Sequence, residues 1–138
     1  MAGERLRVPD DDIWAAVAAE RSEQADLLAT LRPDQWDAPT LCAGWRVREV
    51  VAHTTMPFRT SVGRTLVELA KARGRFNRMA DRSARRDAAR LTSTELLATL
   101  RDNIAHTWKP LGGGALGALS HDVIHGLDIT AGPAPGRR

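Results

Sequence analysis

Among its 138 residues the chain has no tyrosine, two phenylalanines and a single cysteine. One cysteine excludes an internal disulfide and every zinc module built on cysteine pairs. Lysine is almost as scarce: Lys71 and Lys109 are the only two, so the basic charge is carried by arginine. No apolar run approaches the roughly 18 residues that a membrane-spanning helix requires, so no membrane partner is expected. The segment Met1 to Asp10 is charged and has no apolar stretch, so no secretory leader is expected and the cytoplasm is the expected location. Alternating β-branched residues are also sparse, whereas Ala and Leu are abundant, which favours helices.

The remaining composition is that of a single globular domain, with 43% hydrophobic and 27% charged residues. The net charge of +3 is modest. Much of it falls between Lys71 and Arg90, where Lys71, Arg75, Arg78, Arg82 and Arg85 recur at three- and four-residue intervals. Such a stripe reads first as a solvated face. A nucleic-acid surface is the alternative, but neither a recognition-helix motif nor interleaved aromatics accompany it.

Periodicity and punctuation predict four amphipathic helices. The first runs from about Asp11 to Leu31, opened by Asp10-Asp11-Asp12 and closed by Pro33, with Trp14, Val17, Ala18, Ala25 and Leu28 facing inward. Arg21 falls on that stripe and reads as a snorkelling side chain at its edge, the sharper alternative being a cation aimed into a pocket. Pro33 to Trp45 forms a loop held to the core by Trp36 and Trp45. The second helix spans about Val47 to Lys71, its core stripe being Val47, Val51, Thr54, Phe58, Val62 and Leu69, with a kink near Ala52–His53 imposed by Pro57. A charge-rich, partly helical connection, Ala72 to Arg90, leads to a capping box at Thr92–Glu95. The third helix then carries Leu96, Leu100 and Ile104 inward and ends near Trp108, with His106 in its last turn. Gly112-Gly113-Gly114 breaks the chain before a fourth helix from about Ala115 to Thr130, and Ala131 to Arg138 reads as a disordered tail. The expected fold is all-α: one domain over residues 1–130, a four-helix bundle with a long crossover between helices two and three.

The fourth helix carries the chemistry. In Ser120-His121-Asp122-Val123-Ile124-His125-Gly126-Leu127-Asp128 two histidines stand one helical turn apart, so both imidazoles reach one point in space. Leu116, Leu119, Val123, Ile124 and Leu127 supply the helical apolar period. A third nitrogen is available from His53 on helix two, and bundles build metal sites from side chains on facing helices. Three histidines with an open fourth position are the donor set of a catalytic zinc site, although imidazole also suits nickel, copper or iron. Asp128 leans back over His125, where a carboxylate would fix the ring tautomer. Cys42 has no catalytic signature around it and reads as packing.

Trp36-x3-Thr40-x-Cys42-x2-Gly44-Trp45-x-Val47-x2-Val50-Val51-Ala52-His53, followed by His121-x3-His125-x2-Asp128, resembles the DinB-like metalloenzyme superfamily, and within it the N-terminal domain of mycothiol-dependent maleylpyruvate isomerases. The resemblance implies an up-down-down-up bundle and a divalent metal, zinc or else nickel, on His53, His121 and His125. It implies mycothiol or a similar low-molecular-weight thiol as cosubstrate, a small-molecule substrate, and an actinobacterial source in keeping with the arginine and alanine content. Isomerases of this type often have Glu where this chain has His121, and they continue into a C-terminal domain that helps form the active site. The expectation is therefore the shared thiol chemistry, isomerisation or S-transfer, with a non-catalytic metal-binding or stress-associated bundle, monomeric or homodimeric, as the alternative.

Overall fold

The computed structural model describes residues 8–108 and 114–130. Helix α1 (Asp10–Ala29) opens on three aspartates, whose charge suits the positive end of the helix dipole. A short α2 (Pro33–Trp36) follows, and the loop after it closes through an isolated bridge between Pro39 and Arg46. Trp36 and Trp45 are both buried in the core. Helix α3 (Val47–Thr55) leads into a 3₁₀ turn, Met56–Phe58, and then α4 (Val62–Lys71), α5 (Phe76–Arg90), α6 (Ser93–Asp102) and α7 (Gly114–Thr130) complete the described elements. The described residues contain helices and no strand, as the all-α expectation requires. Helix α3 lies at the centre, in contact with α5, α6 and α7, while α1 runs along α7 and α6. The core gathers Leu28, Trp36, Val47, Val50, Val51, Leu96, Leu100 and Ile129. The expected glycine break at Gly112–Gly113 and the tail Ala131–Arg138 lie outside the described residues.

The second helix is not one kinked rod from Val47 to Lys71. It passes through Ala52 and His53 undisturbed and stops at Thr55, because Pro57 has no N–H for the His53 carbonyl and its ring crowds that turn. Met56 N–H closes on the His53 carbonyl, and side chains reinforce the last turn. Thr55 Oγ1 donates to Val51 O at 2.7 Å, and Arg59 Nη2 donates to Ala52 O at 2.9 Å while pairing with Asp87. Beyond the break α4 packs against α5, with Leu66 and Val67 exposed and Leu69 only half-buried.

The crossover is also more than a connection. Helix α5 buries Met79, Ala80, Ser83, Ala84 and Ala88 against α3, and its small side chains let the two helices come close. The arginines face outward: Arg78 and Arg82 are exposed, and Arg85 pairs with Asp81 and donates to Gly44 O. Helix α6 starts at the expected capping box, where Thr92 Oγ1 accepts from Glu95 N and Glu95 Oε1 accepts from Thr92 N. It ends at Asp102, short of Trp108, so His106 lies beyond the helix rather than in its last turn.

Helix α7 turns a different face inward from the one its apolar period predicts. Val123, Ile124 and Leu127 are exposed at 37, 56 and 54%. The buried line is Ala118, Asp122, Gly126 and Ile129. Two contacts with α1 select this face. Asp122 pairs with buried Arg21, and Gly126 leaves room for side chains of α1, a Cβ there standing 2.7 Å from both Gln24 Nε2 and Glu20 Oε1. Arg21 is therefore not a snorkelling residue: it is 1% exposed and sealed between helices.

Candidate metal centre

The inward face of α7 that carries Asp122 also presents His121 and His125 toward α3, where His53 waits one turn before the Pro57 break. The three imidazoles form one group, with one ligand atom from each within 4.8 Å of the others. Their ring centroids are 5.2 Å (His53–His121), 4.8 Å (His53–His125) and 4.7 Å (His121–His125) apart. His53 is buried, and the other two are partly exposed.

Nε2 of His53 stands 3.3 Å from Nε2 of His121. Two neutral rings meeting nitrogen to nitrogen can share one hydrogen bond only if one of them carries its proton there. The same separation is the edge of a tetrahedral coordination shell: with metal–nitrogen bonds of about 2.0–2.1 Å, adjacent ligand nitrogens are about 3.3–3.4 Å apart. His125 joins with its tautomer constrained, since Nδ1 lies 3.1 Å from Asp128 Oδ2 and Nε2 is left for the centre of the group. Nδ1 of His53 is buried, with no hydrogen-bond partner among the described residues. Nδ1 of His121 lies 3.5 Å from Asp122 Oδ1, an ion-pair distance whose geometry does not make a hydrogen bond. The donor set fits a divalent metal with three protein nitrogens and one open position.

Burial shapes the charge of the group. Removal from water, followed by the neighbouring His125 and His121, lowers the His53 pKa to about 3. His125 is lowered as well, by burial first and His121 second, against the opposing pull of Asp128. Both shifts favour neutral imidazole, the form that binds metal.

Aromatic walls enclose the group on two sides. The Trp45 ring is 5.2 Å from that of His53, and Trp45 Nε1 donates to Asp81 Oδ1 at 2.8 Å. The Trp108 ring stands 5.3 Å from His121. Neither Trp108 nor Asp122 had a local signal in the sequence. Asp122 sits inside the histidine stretch, but its partner Arg21 is 101 residues away. Cys42 is half-buried against the core, and its thiol is pushed up by burial, then by Asp128 and Asp81. It is thus held as a thiol, the poor nucleophile of the pair of forms. Lys71 pairs with Glu68, so the basic stripe is partly neutralised in place. Among the described residues no helix is long and apolar enough to cross a membrane.

The chain belongs to the mycothiol maleylpyruvate isomerase N-terminal domain family, whose model matches residues 17–112. That span contains His53 and stops before His121 and His125, so the α7 half of the site rests on the geometry above. No curated protein and no solved structure matches the chain significantly.

Proposed function

We propose that this chain is a divalent-metal protein, ligated by His53, His121 and His125, that uses a low-molecular-weight thiol of the mycothiol type in an isomerisation or S-transfer reaction. The observation that carries the reading is the 3.3 Å approach of His53 Nε2 to His121 Nε2 beside a third imidazole. The family assignment supplies the thiol. Zinc is the first candidate and nickel the second, since both accept imidazole. When bound, such an ion supplies Lewis acidity that favours the thiolate form of a thiol reaching it.

The protein's own groups prepare the place. Burial keeps His53 neutral at pH 7. Asp128 fixes His125 in one tautomer and strengthens it as a ligand. Trp45 and Trp108 exclude water from two sides. In isomerisation the thiol sulfur adds to an activated cis double bond, and the new C–S bond leaves a C–C single bond free to rotate. Elimination then breaks the C–S bond and returns the thiol, so nothing is consumed. In S-transfer the C–S bond is kept and the electrophile's leaving group departs with the electron pair. The setting is the cytoplasm, where low-molecular-weight thiols stay reduced.

The test is turnover of activated cis-alkenes and of alkylating electrophiles by the metal-loaded protein, with and without mycothiol. The expected result is turnover that requires the thiol and disappears in His125→Ala while helical circular dichroism persists. Metal binding without thiol-dependent turnover on either class would instead favour a non-catalytic metal-binding bundle.

A further inference from the structure

We propose that Arg21 is a positioning residue that fixes the chain beyond α6 so that Trp108 stands as a wall against His121. The guanidinium joins three parts of the fold at the level of the histidines. Nε donates to Asp122 Oδ2 at 2.9 Å, on α7 beside His121. Nη1 donates to the carbonyls of Asn103 at 3.1 Å, Ile104 at 3.4 Å and His106 at 2.6 Å. These belong to the irregular segment after Asp102, whose carbonyls have no helix to bond them. Asn103 O also accepts from His106 N–H at 3.0 Å, closing a turn, and Arg21 adds the bonds that tie this part-buried turn to α1.

A second contact braces the same segment. Phe58, delivered by the Pro57 turn, packs tilted against His106 with centroids 4.9 Å apart and lies 5.0 Å from Arg21 Cζ. His106 Nδ1 then accepts from Trp108 N–H at 3.0 Å, and Trp108 reaches His121 two residues further on. The line of contact therefore runs from Arg21 and Phe58 through His106 to Trp108 and the site.

A buried Arg–Asp pair is a weak source of stability, because apolar replacements of similar volume often do as well or better. What an apolar pair cannot do is tie the Asp122 carboxylate, through Nε, to the backbone carbonyls of the segment after α6, through Nη1. Lysine cannot either, since its single nitrogen cannot stand at both the Nε and the Nη1 positions. The role that remains is specification of where residues 103–108 lie.

The inference takes the histidine group as the functional site proposed above, but its test uses metal-free protein, so failure of either leaves the other standing. The readout is the NMR shift of the His121 ring protons, with the contribution of Trp108 defined as the difference between wild type and Trp108→Leu. Arg21→Lys, which keeps a cation opposite Asp122, is expected to lose at least half of that difference, while His53 and His125 ring resonances stay in place. His106→Ala, at an exposed position, is expected to lose part of it with Arg21 intact. His121 shifts unchanged from wild type in a folded Arg21→Lys overturn the proposal. If Arg21→Lys does not fold, Arg21→Met, of similar volume, is read in its place, and His121 shifts unchanged from wild type there overturn it.

Discussion

Nδ1 of His125 and Oδ2 of Asp128 lie 3.1 Å apart across one turn of α7, and that contact decides which nitrogen of the ring faces His53. With Nδ1 engaged by the carboxylate, only Nε2 remains for the centre of the group. The spacing of the two residues, i and i+3, makes the pairing a property of the helix itself.

Asp128→Asn should therefore weaken metal binding by about 10–100-fold without disturbing the fold, since an outer carboxylate raises ligand basicity as well as fixing the tautomer. Competition against a chromophoric chelator measures the affinity, and circular dichroism checks the fold. An affinity equal to wild type would mean that Asp128 does no more than occupy the helix surface.

Acid should destabilise the metal-free protein through His53. Its folded pKa of about 3 lies below the unfolded value of 6.5. Above pH 6.5 both states hold a neutral ring and nothing is gained or lost. As pH falls below 6.5 the unfolded chain takes up a proton that the folded one refuses, so stability drops until about pH 3. The full effect is at most roughly 5 kcal/mol, and the slope is at most about 1.4 kcal/mol per pH unit. His125 is shifted in the same direction and adds to the trend. Urea midpoints between pH 7 and 4.5 should fall more steeply in wild type than in His53→Gln; parallel slopes would refute the assignment.

Gly126 should tolerate no branched side chain. A Cβ there meets Gln24 Nε2 and Glu20 Oε1 at 2.7 Å, and Gln24 Nε2 already donates to Asp122 O at 2.7 Å. Gly126→Val should cost about 1–3 kcal/mol through overpacking, outweighing the fraction of a kcal/mol that leaving glycine gains in a helix. A lower urea midpoint at unchanged slope is the expected reading. A midpoint equal to wild type would mean that the Gln24 and Glu20 side chains swing aside here without loss.

The sequence disclosed some of this organisation and hid the rest for identifiable reasons. The histidine pair was legible because its spacing is local, and α1 and α6 because acidic residues or a capping box open them. Helix α5 was hidden because its core face is built from Ala80, Ala84 and Ala88, whose weak hydrophobicity is masked by the arginines between them. Helix α7 misled because hydrophobic period and buried face diverge: an ion pair with Arg21 and close approach at Gly126 outweigh Ile124 and Leu127, which remain exposed. Pro57 announced a disruption, but the 3₁₀ turn that ends the helix, with Thr55 and Arg59 bonded to its last carbonyls, has no local pattern. The Arg21–Asp122 pair spans 101 residues, and no local pattern encodes such a contact.

Metal stoichiometry, measured by plasma emission on purified wild type and His53→Ala side by side after zinc loading and desalting, bears most directly on the centre of this account. It predicts about one equivalent per chain in wild type and less than about a tenth in the variant, because two histidines on one helix do not hold the ion alone. Equal metal in both proteins, or less than about half an equivalent in wild type with no rebinding, would contradict it.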